Sequence, residues 1–121
     1  MNITEKIIAR ASNKSSVSPG DVVFVDVDKV MIHDVSGPGV IKVFEEWDKK
    51  GIHLEKVWNA DRVWISEDHF VPSADRISAE NITKLTNWAE KYDIKKHYKY
   101  GLGQYGICHT LSHEEALVLP G

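Results

Sequence analysis

Three dipeptides place titratable side chains where a strand should end or a helix begin: His33-Asp34, Asp68-His69 and Cys108-His109. Each follows an apolar stretch or a glycine cluster. Imidazole is the side chain best able to move protons near neutral pH, and rings delivered to element ends can converge on one polar cleft. In Asp68-His69 the adjacent carboxylate can fix the tautomer of the imidazole and stabilise its protonated form. The alternative is a loop pair with no chemical task. Asp34 precedes a helix start and is expected to interact favourably with that helix N-terminus. Cys108-His109 reads as a buried cysteine beside a core histidine satisfied by backbone. A nucleophilic Cys108 would need a base and an electropositive setting, and the sequence shows neither.

The other histidines, His53, His97 and His113, stand alone in polar surroundings and are expected to be solvated. The six histidines lack H-x-x-x-H or H-E-x-x-H spacing, so no self-contained zinc site is expected. Gly101-Leu102-Gly103-Gln104-Tyr105-Gly106 spells G-x-G-x-x-G. That fingerprint needs a preceding strand, a long following helix and a later acidic residue. Too few residues follow Gly106 for this, so a glycine loop that brings backbone close to another group is the better account.

The elements that must carry these residues follow from patterning. Ile3, Ile7, Ile8 and Ala11 fall on one face of a short helix, capped by Thr4 or Asn2. Ser12 to Gly20 is a polar turn. Val22 to Val27 is β-branched and apolar, and predicts a strand. Ser36 with an early Pro38 starts a helix whose stripe is Val40, Val43, Phe44 and Trp47; Lys49-Lys50-Gly51 ends it. Residues 62–66 predict a strand ending at Asp68-His69. Ser78 is read as the cap of a long helix with a buried face of Ile82, Leu85, Trp88, Ala89 and Tyr92. Residues 93–100 hold a short strand candidate. Ile107 to Leu111 has a short helical reading, and Leu117 to Leu119 a last strand. The tryptophans at 47, 58, 64 and 88 are mostly core by pattern, though some could face a partner. Alternation of helices and strands makes the class α/β.

Composition narrows the function. The chain has 121 residues, a net charge of −3 and one cysteine. One domain is expected, spanning residues 1–121, without internal repeats. An acidic balance without basic runs argues against a sequence-independent nucleic-acid binder. No apolar stretch approaches the roughly 20 residues of a membrane span. The N-terminal residues lack a secretory h-region. A single cysteine excludes an internal disulfide and points to a reducing, cytoplasmic compartment. It also excludes a cysteine-ligated cluster built from this chain alone. The turn signal at Pro120-Gly121 introduces nothing, which suggests a chain cut from something longer.

Taken in order, these pieces resemble the N-terminal part of the large subunit in the aconitase superfamily, in the 3-isopropylmalate dehydratase and homoaconitase branch. The residues that carry the resemblance begin with Ile3-Thr4-Glu5-Lys6-Ile7-Ile8-Ala9-Arg10 and Ser18-Pro19-Gly20-Asp21. Met31-Ile32-His33-Asp34 with Gly37-Pro38 comes next, then Val57-Trp58 to Asp61-Arg62-Val63. Asp68-His69-Phe70-Val71-Pro72, Ser78-Ala79-Glu80-Asn81, Gly106-Ile107-Cys108-His109 and Leu117-Val118-Leu119-Pro120-Gly121 complete it. Any one piece is weak, but the ordered series is specific.

The resemblance implies part of a three-layer sheet-and-helix domain, incomplete here, and a hydro-lyase that dehydrates a 2-hydroxy acid and rehydrates it at the neighbouring carbon. It implies a [4Fe-4S] cluster as Lewis acid, held by three cysteines that this chain lacks. It also implies partners: the remainder of a large subunit and a small subunit bearing a general-base serine. Carried over by position, Asp68 and His69 match the pair that assists departure of hydroxide, and His109 matches a histidine near the reacting hydroxyl. His33 and Asp34 match substrate contacts. The chain departs from the family pattern in a longer loop at 101–106, in Thr110 where glutamine is common, and in Glu67 before Asp68.

The leading expectation is therefore a segment of a 3-isopropylmalate dehydratase acting in leucine biosynthesis, inactive alone. Homoaconitase and dimethylmalate dehydratase segments are alternatives within the branch. A stand-alone, non-catalytic binder of a small carboxylate or a partner protein is an alternative from another class. A mononuclear metal protein using His33, His69 and His109 is a third.

Overall fold

The computed structural model describes residues 1–102 and 106–114. The described residues divide into two compact units, residues 1–28 and residues from 29 to 114.

In the first unit a helix, α1, spans Ile3–Ala11. Its cap is Asn2, whose side-chain oxygen accepts the Glu5 amide at 2.9 Å while Glu5 Oε2 accepts the Asn2 amide at 2.8 Å. This reciprocal box satisfies two otherwise orphaned donors. The expected apolar face is only partly used: Ala9 is buried, whereas Ile3 and Ile7 are exposed. The strand expected at Val22–Val27 does not form. These residues join no ladder among the described residues, and Val22 and Phe24 are 94% and 98% exposed. β-branched composition favours a strand only where a neighbouring edge supplies hydrogen bonds, and among the described residues none supplies one to this segment.

The second unit is built on a parallel three-stranded sheet. Its elements run β1 (Val30–His33), α2 (Gly37–Lys49), a 3₁₀ turn (Ala60–Arg62), β2 (Val63–Ser66), α3 (Arg76–Lys91), β3 (Lys96–Tyr98) and α4 (Cys108–Glu114). The strands lie in the order β1-β2-β3. The α/β reading is borne out, as an incomplete domain of that class. β2 is central and all four of its residues are buried, as a parallel strand covered on both faces requires. Val63 and Ile65 join the core with Ile32, Ile41, Leu85, Trp88, Ala89 and Tyr92. Trp64, on the alternate face, meets Tyr98 edge-on at 5.7 Å.

The helices end and begin where local chemistry allows. Pro38 sits in the first turn of α2, where a missing N–H does no harm. The chain leaves α2 through Gly51 at φ +78°, a conformation only glycine adopts without strain. Phe44 packs edge-on against Trp88 and Tyr92, each at 5.4 Å, so α2 and α3 share an aromatic seam. Of the stripe expected for α2, Val43 and Trp47 are exposed and Val40 and Phe44 half-buried, while the buried residues of the helix are Gly37 and Ile41. α3 starts earlier than expected. Its cap is Asp75, whose Oδ1 accepts the Ser78 amide at 2.7 Å, because an acid at the first unsatisfied N–H groups also complements the helix dipole. The buried face expected for α3 is borne out at Leu85, Trp88, Ala89 and Tyr92. The strand expected at Leu117–Leu119 and the centre of the glycine loop, residues 103–105, lie outside the described residues. Among the described residues no helix is long and apolar enough to cross a membrane.

Candidate active site

Strand register assembles the site. His33 at the end of β1 pairs with Ser66 at the end of β2, and Ser66 pairs with Tyr98 at the end of β3. His33-Asp34 and Glu67-Asp68-His69 therefore leave the sheet side by side at its carboxyl edge, where open parallel sheets bind ligands.

Asp34 is fully buried. Its carboxylate accepts the amide of His69 at 3.0 and 3.1 Å and the amide of Phe70 at 2.6 Å. The expectation that Asp34 serves the N-terminus of α2 is corrected. The β1–β2 register brings two unpaired amides of the following loop within reach, and a buried carboxylate is stabilised most by such donors. The His33 ring stacks on that of His69, centroids 4.7 Å apart and planes 30° apart. His33 Nδ1 accepts the amides of Val35 and Ser36, both at 3.2 Å. This hydrogen-bond pattern assigns the proton of the neutral ring to Nε2.

His69 Nδ1 lies 2.6 Å from Asp68 Oδ1. With Asp68 ionised, Nδ1 carries the shared proton, and Nε2 is left as the position at which His69 can take or give a proton. Asp68's side chain is 3% exposed and His69's 43%, so a buried carboxylate orients an accessible ring. Burial alone would raise the Asp68 pKa. Hydrogen bonds from Cys108 and His69 outweigh it and hold the carboxyl below its ordinary value. The Cys108 amide donates to Asp68 Oδ2 at 2.7 Å. Cys108 is fully buried, and its thiol is pushed up to about 11 by burial and by the neighbouring Asp68 carboxylate. It is a protonated thiol rather than a nucleophile, as its sequence context suggests. His109 follows directly in α4 and is exposed.

Among the described residues, His33, Asp34 and His69 offer ligand-type atoms within 4.8 Å of one another. His33 Nδ1, both Asp34 oxygens and His69 Nδ1 are already engaged in the hydrogen bonds above, which leaves only the two Nε2 atoms open. A [4Fe-4S] cluster does not fit this chain's residues: clusters need several thiolates, and the single cysteine is buried and protonated.

Sequence reasoning missed one pair. His97, expected to be solvated, is packed with Glu67 at 2.8 Å, their side chains 6% and 4% exposed. The signal was present in Glu67, an acid placed directly after a wholly buried strand.

No protein-family model matches the chain. Over its full length it is 39% identical to a 3-isopropylmalate dehydratase large subunit of Caldicellulosiruptor saccharolyticus and 40% identical to one of Heliobacterium modesticaldum. It is 36% identical to a chloroplastic 3-isopropylmalate dehydratase large subunit of Arabidopsis thaliana, again over its full length. These relatives, large subunits of the aconitase superfamily branch, match the chain along its whole length. It spans 27% of the length of the two bacterial relatives and 25% of the plant one.

Proposed function

We propose that this chain is one part of a hydro-lyase that isomerises a 2-hydroxy acid, 3-isopropylmalate, by dehydration and rehydration, and that it supplies the proton-transfer pair Asp68–His69. The observation that carries this reading is the 2.6 Å contact between Asp68 and His69 at the carboxyl edge of β2, in a chain homologous throughout to such large subunits. In the dehydration direction, protonated His69 gives its Nε2 proton to the departing hydroxyl as the C–O bond breaks, so that it leaves as water, while a base outside this chain takes the proton from the neighbouring carbon and the C–H electron pair becomes the new double bond; Asp68 stabilises the imidazolium beforehand. His33, with its proton on Nε2, donates a hydrogen bond to a substrate carboxylate beside it. Asp34 is a positioning residue that holds the backbone of His69. His109, next in sequence to the Cys108 whose amide binds Asp68, is the third residue assigned to proton handling in this reading. Leucine biosynthesis in the cytoplasm is the setting this substrate implies.

The reading requires partners: the cluster-bearing remainder of a large subunit and a small subunit, since this chain's residues do not fit a cluster. The test is reconstitution of the chain with those parts from one of its relatives, followed by isomerisation of 3-isopropylmalate. Activity that depends on this chain and falls with His69→Gln supports the proposal. A reconstituted, cluster-loaded assembly that turns over equally well with His69→Gln overturns it.

A further inference from the structure

Glu67 is tied down at every polar atom it carries toward β3. Its amide donates to the Tyr98 carbonyl at 3.1 Å, its Oε2 accepts the Tyr100 amide at 2.9 Å, and its Oε1 lies 2.8 Å from His97 Nε2. The main-chain bond continues the β2–β3 ladder one step past the last strand pair, Ser66 and Tyr98. The side-chain bonds then close it. Burial would disfavour the charged carboxyl, but His97, the Tyr100 amide and the nearby Lys99 charge keep it ionised.

Two adjacent carboxylates thus serve opposite sides. Glu67 is committed to β3, and Asp68 to Cys108 and His69. A free Glu67 would be a rival acceptor two residues from His69, and two competing acceptors cannot hold a single tautomer. We infer that Glu67 and His97 form a positioning pair that fixes the place of Asp68 and, through it, the Nδ1-protonated form of His69. The inference rests on the reading of Asp68 and His69 as a proton-transfer pair, but its test needs no turnover.

The experiment is ¹⁵N–¹H spectroscopy of the histidine rings in the full chain at pH 7. The wild-type chain should show His69 with a hydrogen-bonded Nδ1 proton, and Asp68→Asn should alter that signal. His97→Phe, which preserves ring volume but removes the bond to Glu67, should abolish the Nδ1–H signal from most molecules. Glu67→Gln should retain it. Glutamine can still accept from Tyr100 and donate to a neutral His97, so the link survives. A folded His97→Phe chain with an unchanged His69 signal overturns the positioning role and leaves the proton-transfer pair standing. Should His97→Phe fail to fold, His97→Met, which is smaller and more flexible and likewise leaves Glu67 without its ring partner, provides the same comparison with the same two outcomes. A wild-type chain lacking the Nδ1–H signal overturns both readings together.

Discussion

Asp34 and His69 stand 35 positions apart in the chain, yet the buried carboxylate of one receives the amide of the other at 3.0 Å. This bond fastens the end of β1 to the loop after β2. Removing the carboxylate leaves the amides of His69 and Phe70 as buried donors without acceptors. Asp34→Ala should therefore lower unfolding free energy by about 2–5 kcal/mol, read as a shifted denaturation midpoint with an unchanged slope. Asp34→Asn keeps one acceptor oxygen and should lose about half as much. Equal midpoints for the wild-type chain and Asp34→Ala would show that the loop is held by something else.

Asp68→Asn should act on chemistry more than on stability. The amide cannot stabilise an imidazolium as a carboxylate does, and its NH₂ group favours the wrong tautomer of His69. In the reconstituted assembly the turnover number should fall roughly 10²–10⁴-fold, with KM changed far less. His33→Gln should show the opposite split, a raised KM with a smaller loss of turnover, because it loses a donor to a substrate carboxylate. Identical kinetic profiles for the two variants would contradict the separate roles.

Much of this arrangement was legible in the chain itself. The α3 stripe at Leu85, Trp88 and Ala89 repeats at helical spacing and needs only one apolar neighbour to bury it. The strand at 63–66 is apolar up to Ile65 and buried throughout, as a central parallel strand covered on both faces is. Asp68-His69 was readable because the chemistry is local, an acid beside its base. Asp34 was misread because its partners come from β2's loop, through a register that no local pattern encodes. His97 was misread for the same reason: it stands between Lys96 and Tyr98 in a lysine-rich stretch, while its contact is 30 positions away. Val22 to Val27 failed in the other direction, with strand propensity present and no edge among the described residues to pair with.

Cys108 offers a test that needs no partner subunits. A thiol titrating near 11 rather than at its ordinary value of 9.0 is deprotonated about 100-fold less often at pH 8. Alkylation of the native chain should be slower than that of the unfolded chain by at least this factor, with burial adding to it. The linkage has a definite sign. Between pH 9 and about 11 the native state holds a proton that the unfolded state releases, so stability should decline as pH rises through that window. Cys108→Ser, whose hydroxyl does not titrate there, should flatten the decline.

The acid side has the reverse sign. Glu67 and Asp68 both titrate below their ordinary values of 4.5 and 3.8 in the folded chain. The unfolded state therefore binds protons first on acidification. Their contribution is fully present above the ordinary carboxylate range and disappears as pH falls through the lowered folded values. Urea midpoints measured from pH 6 downward should decline for the wild-type chain. Glu67→Gln should show a shallower decline over the same window, since one of the linked protons is gone. Parallel profiles would mean that Glu67 titrates alike in both states.

Gly37 and Leu85 provide a packing test away from the chemistry. A methyl group on Gly37 would meet Leu85 Cδ1 at 2.6 Å, and Leu85 is fully buried, so its branch has little room to retreat. Gly37→Ala should destabilise by about 1–3 kcal/mol through overpacking. Leu85→Ala should cost about 2–5 kcal/mol, the transfer term plus the cavity it leaves. In the double variant the new methyl occupies part of that cavity and meets no branch. The combined loss should then fall short of the sum of the single losses by about 1 kcal/mol or more. Strict additivity, within about 0.5 kcal/mol, would mean that α2 shifts to relieve the contact. In that case the start of α2, and His33-Asp34 just before it, would be looser than the bonds to His69 and Phe70 imply.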